Sequence, residues 1–206
     1  MSKRVLFILG LFENSNSTLP GSIAQRLDCH IKFDIITPFT KEKFSKDSFK
    51  SILKEIDKHI KTTRPDVIVA HSLGAYASLH FTYKHTLILL DPSLPVSEII
   101  FHNTKRRNNL YTYHDGINTI SISDTFYQSI NDALDIDSLA GNSAQQKLHI
   151  FGAKKGGAQI AQEYCKHIPH AEYIELSHSN HNFDDPQSQR VISSMIQKEL
   201  GIMPSS

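Results

Sequence analysis

The chain has no apolar run long enough to cross a bilayer. Its N-terminal run, residues 5–9 (VLFIL), is also too short for the core of a secretory signal followed by a cleavage site. A cytoplasmic protein with no membrane span is the expectation. No sign of charge is in excess: 22 Lys and Arg face 21 Asp and Glu, for a formal net charge of +1. Such a balance excludes a strong polyanion-binding field. The one basic run, Lys105-Arg106-Arg107, sits among Asn residues and reads as a solvated loop, so no nucleic-acid partner is expected. Cysteine is scarce as well. Cys29 and Cys165 make no metal-binding or redox spacing and at most one disulfide. Repeats, low-complexity tracts and linkers are all missing, so residues 1–206 read as one globular domain.

What the chain does contain is alternation. Short apolar runs at residues 5–9, 31–36, 67–70, 86–90, 148–151 and 172–176 read as strands. Between them lie helical patterns. Phe49, Ile52, Leu53, Ile56 and Ile60 recur at helical spacing over residues 48–62, with Ser48 placed to cap and Pro65 to break the chain afterwards. Residues 73–83, 159–167 and 186–200 read as further helices. Residues 92–146 are less regular and fit a small lid or insertion. Short apolar strands alternating with amphipathic helices predict a three-layer α/β/α sandwich around a mainly parallel sheet. In such sheets ligands bind beyond the carboxyl ends of the strands. The residues just after each strand are therefore the ones to read chemically.

The phrase Ala70-His71-Ser72-Leu73-Gly74 follows one strand and opens one helix. That is the setting of a G-x-S-x-G nucleophile elbow, with Ala70 in place of the first glycine. The alternative is an ordinary serine N-cap. An acyl-transfer site also needs two N–H donors aimed at the developing oxyanion. Leu73 would supply one, directly after the serine. Leu11, in the Leu9-Gly10-Leu11-Phe12 loop after the first strand, would supply the other. The base for Ser72 should be a histidine late in the chain. His178 and His181 stand three apart, and His181, followed by Asn182-Phe183, is the better match. This H-x-x-H lacks a third ligand of clear spacing, so no metal is expected.

The acid is less direct. The loop after the next-to-last strand, where an aspartate is usual, reads Gly152-Ala153-Lys154-Lys155-Gly156-Gly157 and has no carboxylate. Glu163 lies well along the following helix. Asp91, in Leu89-Leu90-Asp91-Pro92, ends the strand after the elbow helix and is the first candidate. Asp124, in the SISDTF phrase, is the second, and a site with no acid is the third reading.

Together these phrases resemble the α/β-hydrolase superfamily, and more loosely the compact single-domain bacterial serine esterases of the YqiA/YcfP kind. The likeness rests on Leu9-Gly10-Leu11, Ala70–Gly74, Asp91-Pro92-Ser93-Leu94-Pro95 and Ser179-Asn180-His181-Asn182-Phe183. It departs at Ala70, at Leu9 (where many members carry His) and at the acid. Some lipases, the pancreatic type among them, take their acid from the strand end that Asp91 occupies here. The resemblance implies a serine hydrolase of carboxylic esters or thioesters that needs no metal or organic cofactor. Leu94, Ile99, Ile100, Phe101 and Phe126 are candidate liners of an acyl pocket. The same residues would serve acyl transfer to an acceptor other than water. An absent acid would fit a binding protein on the same fold.

Overall fold

A computed structural model describes residues 2–11, 18–93, 104–107, 110–114, 119–133, 136–144 and 146–202. The main sheet holds β1 (Arg4–Ile8), β2 (Lys32–Ile36), β3 (Val67–His71), β4 (Thr86–Leu90), β8 (Lys147–Lys155) and β9 (Glu172–Asn180). Their spatial order is β2-β1-β3-β4-β8-β9, and every neighbouring pair is parallel. The chain steps outward from β1 to β2, then returns to place β3 on the other side of β1. The carboxyl ends of β1 and β3 therefore flank a topological switch point, the usual crevice for ligands in an open parallel sheet.

Strand alternation divides the core between the two faces of the sheet. Leu6, Ile8, Ile68, Ala70, Leu87, Leu89, Leu148 and Ile150 face one side. Helices α3 (Phe49–Thr63), α4 (Leu73–Ser78) and α7 (Ala158–His167) cover that side through Ile52, Ile56, Tyr76, Ala161 and Tyr164. Val5, Phe7, Val67, Val69, Ile88, Leu90 and Phe151 face the other side, under α1 (Thr18–Ala24) and α8 (Pro186–Glu199). The expected three-layer sandwich is what forms. Ser48 caps α3 with a full capping box, and Arg64, in the left-handed region at φ 47°, ends it before Pro65.

Four departures from the sequence reading have local causes. Helix α4 stops at Ser78, not residue 83, because the chain must run back to the start of β4, and Gln146 Nε2 donates to the Phe81 carbonyl at 2.8 Å on that return. Helix α2 (Lys41–Lys46) is too short to show periodicity; Thr40 caps it and Phe44 alone is buried. Strands β8 and β9 run on to Lys155 and Asn180, pairing past an irregularity between Ala153 and Lys155. In the fourth place, the irregular region contains an antiparallel sheet, β5 (Thr104–Arg107), β6 (Leu110–His114) and β7 (Thr119–Ser123), followed by α5 (Asp124–Asn131) and α6 (Ile136–Ser143). Lys105-Arg106-Arg107 is thus a strand and not a loop.

The segment between β4 and β8 is anchored by aromatic packing. Phe126 is fully buried, 4.2 Å from Phe44 and 6.1 Å from Phe49 between ring centroids. Phe126 is therefore part of the core and does not line a pocket. Leu94, Ile99, Ile100 and Phe101 lie outside the described residues. Cys29 and Cys165 are both free thiols, so no disulfide joins them.

Candidate active site

Ser72 joins β3 to α4 with φ 52° and ψ −120°, a conformation that residues with a side chain rarely adopt. An N-cap serine would be extended, with its hydroxyl accepting from the first turn. Ser72 does neither, since its side chain makes no capping bond. The sharp turn is held through the backbone. Ser72 N–H donates to Leu90 O at 3.0 Å, and Ser72 O accepts from Ala75, Tyr76 and Ser93 N–H at 3.0–3.2 Å. Gly74 lets α4 press on the end of β1: a Cβ there would sit 2.5 Å from Ile8 O and 2.8 Å from Leu9 O.

Asp91 follows β4, the strand paired with β3, in register with His71 at Leu90. Its side chain is fully buried and its φ is 40°. Oδ1 accepts from Ala153 N–H at 2.7 Å and Oδ2 from Gly157 N–H at 2.8 Å. Both oxygens are thus seated on backbone donors. Oδ2 also lies 3.1 Å from His181 Nδ1. A carboxylate can only accept, so His181 Nδ1 is the donor in this contact. His181 is half exposed (48%), whereas Asp91 is closed off from water.

The loop carrying His181 is tightly turned. Phe183 N–H donates to Asn180 O at 3.0 Å, and Asn182 N–H to Asn180 Oδ1 at 3.1 Å. Phe183 is buried with φ 48°. Of the four non-glycine residues with positive φ among those described, Ser72, Asp91 and Phe183 belong to this site. The phrase that lacks a carboxylate has a different role in the geometry. A Cβ on Gly156 would lie 2.6 Å from His181 N and 2.7 Å from Asp91 Oδ2; on Gly157 it would lie 2.8 Å from Asp91 Cγ. Gly156-Gly157 is bare so that Asp91 and His181 can meet over it. Sequence reading missed that role, although a double glycine directly after a buried strand was the available signal.

The other candidates fall elsewhere. His178 lies within β9, exposed. Asp124 opens α5 in the segment between β4 and β8, capped by Ser123. Glu163 is on the exposed side of α7 and pairs with Lys166 at 2.6 Å. Leu73 is buried at the first position of α4, where a backbone N–H has no acceptor within the helix. Leu11 follows β1 and packs on the core. Among the described residues one set of metal-ligating atoms is clustered, at exposed Asp28, Cys29 and His30. The Asp28–His30 hydrogen bonds, at 2.8 and 2.7 Å, already account for that turn.

No protein-family model matches the sequence, and no curated protein matches it either. Solved structures do match in fold. Est1E from Butyrivibrio proteoclasticus superposes with a TM-score of 0.78 at 10% identity, covering 97% of this chain and 88% of that one. Alpha/beta hydrolase domain-containing protein 10 from mouse gives 0.74 at 11%, covering 98% and 90%. The thioesterase domain from the curacin biosynthetic pathway gives 0.56 at 16%, covering 95% and 90%. The chain therefore has the α/β-hydrolase fold. No helix among the described residues is long and apolar enough to cross a membrane.

Proposed function

We propose that the protein is a serine hydrolase that cleaves a carboxylic ester or thioester through an acyl-enzyme on Ser72. The observation that carries this reading is the contact between buried Asp91 and half-exposed His181, beside a serine in a strained strand-to-helix turn. His181 Nε2 takes the proton of Ser72 as Oγ attacks the substrate carbonyl. The carbonyl oxygen becomes an oxyanion facing the N–H groups of Leu73 and Leu11. His181 then gives its proton to the departing alkoxide or thiolate, leaving Ser72 acylated. Water, deprotonated by His181, attacks the acyl carbon, and the carboxylic acid leaves as Ser72 recovers its proton. Asp91 holds the imidazole tautomer and stabilises the imidazolium. No step calls for a cofactor.

The fold neighbours support the substrate class, since two of those above are named as a hydrolase domain-containing protein and a thioesterase domain. The narrower likeness to the compact bacterial esterases belongs to the same proposal, as does a cytoplasmic site of action. The reading of a binding protein rested on the missing acid, and the 3.1 Å contact of Asp91 with His181 weighs against it. Labelling with a fluorophosphonate, read by intact mass, tests the proposal. One adduct on the wild-type chain and none on Ser72→Ala is expected. A folded wild-type chain that takes no adduct and cleaves neither p-nitrophenyl esters nor acyl thioesters would reject it. Acyl transfer is the outcome if an added alcohol or amine captures the acyl group in preference to water.

A further inference from the structure

The described site contains a second histidine. His71 is the last residue of β3, directly before Ser72, and is 1% exposed. Its Nε2 lies 2.7 Å from the backbone carbonyl of His181, 110 positions away in sequence. A carbonyl can only accept, so Nε2 carries the proton and donates. The two rings stand 4.7 Å apart at 40°, and the edge of His71 meets Phe183 at 5.9 Å and 81°.

We infer that His71 is a positioning residue for His181, acting through the backbone of the loop that carries it. The inference rests on the hydrolase reading for its rate effect, but not for its structural content. Three contacts locate His181. Asp91 fixes Nδ1, Gly156 sets how closely the chain passes, and His71 ties the carbonyl and forms the floor under the ring. Only the first acts on the imidazole tautomer directly. The loop is otherwise a turn over residues 180–184, held by bonds within it, by the pairing of Asn180 with Lys155, and by the Gln189 Nε2 bond to Phe183 O at 3.1 Å. Those bonds shape the turn but do not tie it to the strand that presents the nucleophile. The His71 bond supplies that tie, linking the residue before Ser72 to the residue that must accept its proton. Without a donor at position 71, the His181 carbonyl would have no described partner, and nothing would tie this side of the turn to β3. A displacement near 1 Å at a general base costs roughly 100-fold in rate.

The experiment separates donor from ring. His71→Phe keeps a ring and loses the donor; His71→Gln keeps a donor and loses the ring. If His71→Phe does not fold, His71→Met, flexible and donor-free, takes its place. Two measurements are made on each: steady-state ester hydrolysis across pH, and 15N-imidazole NMR of His181 without substrate, assigned by its loss in His181→Asn. The expectation for His71→Phe is a kcat roughly 10–100-fold lower with KM within about twofold, and a displaced acid limb of the pH profile. His181 in that variant should lose its single Nδ1–H tautomer, and His71→Gln should restore most of both. Wild-type rates and an unchanged His181 tautomer in His71→Phe would overturn the inference. So would losses in both variants that track the folded fraction with no shift in the pH profile. The two proposals fail separately. If Ser72 takes no phosphonate but the His181 tautomer still depends on His71, the hydrolase reading falls and the positioning contact stands. A labelled enzyme indifferent to His71→Phe gives the reverse.

Discussion

Two histidines in this protein lie against buried carboxylates at opposite ends of one sheet, and they are built for different ends. At the carboxyl ends of the strands, His181 meets Asp91 with one ring nitrogen while its side chain stays half exposed. At the amino ends, His149 of β8 is 1% exposed, with Glu172 at 2.9 Å on one ring nitrogen and Glu199 at 3.1 Å on the other. These contacts have ion-pair distances but not the in-line geometry of hydrogen bonds. Lys147 Nζ adds a bond to Glu199 at 2.7 Å, and Glu199 is itself 4% exposed. Burial alone would push the Glu199 carboxyl up; the Lys147 ammonium and the His149 charge hold it below its ordinary value. A histidine with both nitrogens occupied and no access has no proton to trade with a substrate. It joins β8, β9 and the end of α8. Exposure of the ring, more than the presence of a carboxylate, separates the Asp91–His181 pair from the buried one.

The sharpest way to break this comparison is to neutralise each carboxylate in turn. Asp91→Asn should lower kcat by roughly 10⁴-fold, because the amide no longer selects the Nδ1–H tautomer of His181. Steady-state hydrolysis with a circular dichroism check on folding measures it. Glu199→Gln should leave the rate within about twofold and cost about 3 kcal/mol of stability, since it breaks a buried ion pair and leaves its partners uncompensated. Urea denaturation measures that. If Glu199→Gln damages turnover as much as Asp91→Asn does, the division between the two ends is wrong.

A third histidine sharpens the contrast by having no ionic partner among the described residues. His80 packs among Phe49 and Tyr76, and burial pushes its pKa down to about 4. In the unfolded chain it titrates near 6.5, so between these values the unfolded state binds a proton that the fold refuses. Stability should therefore fall as pH drops from about 6.5 to about 4, by as much as about 3 kcal/mol from this group. His80→Leu should flatten that part of the pH dependence, read from denaturation midpoints at pH 7 and pH 4.5. A smaller effect is expected at Gly157. An added Cβ would meet Asp91 Cγ at 2.8 Å, so Gly157→Ala should push the carboxylate off His181 and lower kcat about tenfold with little change in stability. An unaltered kcat would show that the acid does not need its glycine cradle.

Much of the architecture was legible in the chain because buried parallel strands are written as unbroken apolar runs. Thr86–Leu90 and the start of α3 at Ser48 came out as read. The short α2 and the antiparallel β5–β7 did not, because six-residue helices and half-polar strands carry too little periodicity to rise above loop composition. At the site, the Ala70–Gly74 phrase and His181 were readable as motifs, while Asp91 was one acid among several. His71 gave no chemical signal, and Gly156-Gly157 gave only a double glycine after a strand, because their roles consist of distances to residues far away in sequence.

By itself, then, the sequence determined the layering of the fold, the elbow serine and the histidine after the last strand. Each depends on local patterning or on position relative to the nearest strand. Only the tertiary structure decided which acid meets the histidine, why the loop after β8 is bare, and which histidine is shut away. Pairing β4 between β3 and β8 brings Asp91, Gly157 and His181 together, and the 90 positions between Asp91 and His181 carry no trace of that contact until the sheet is assembled.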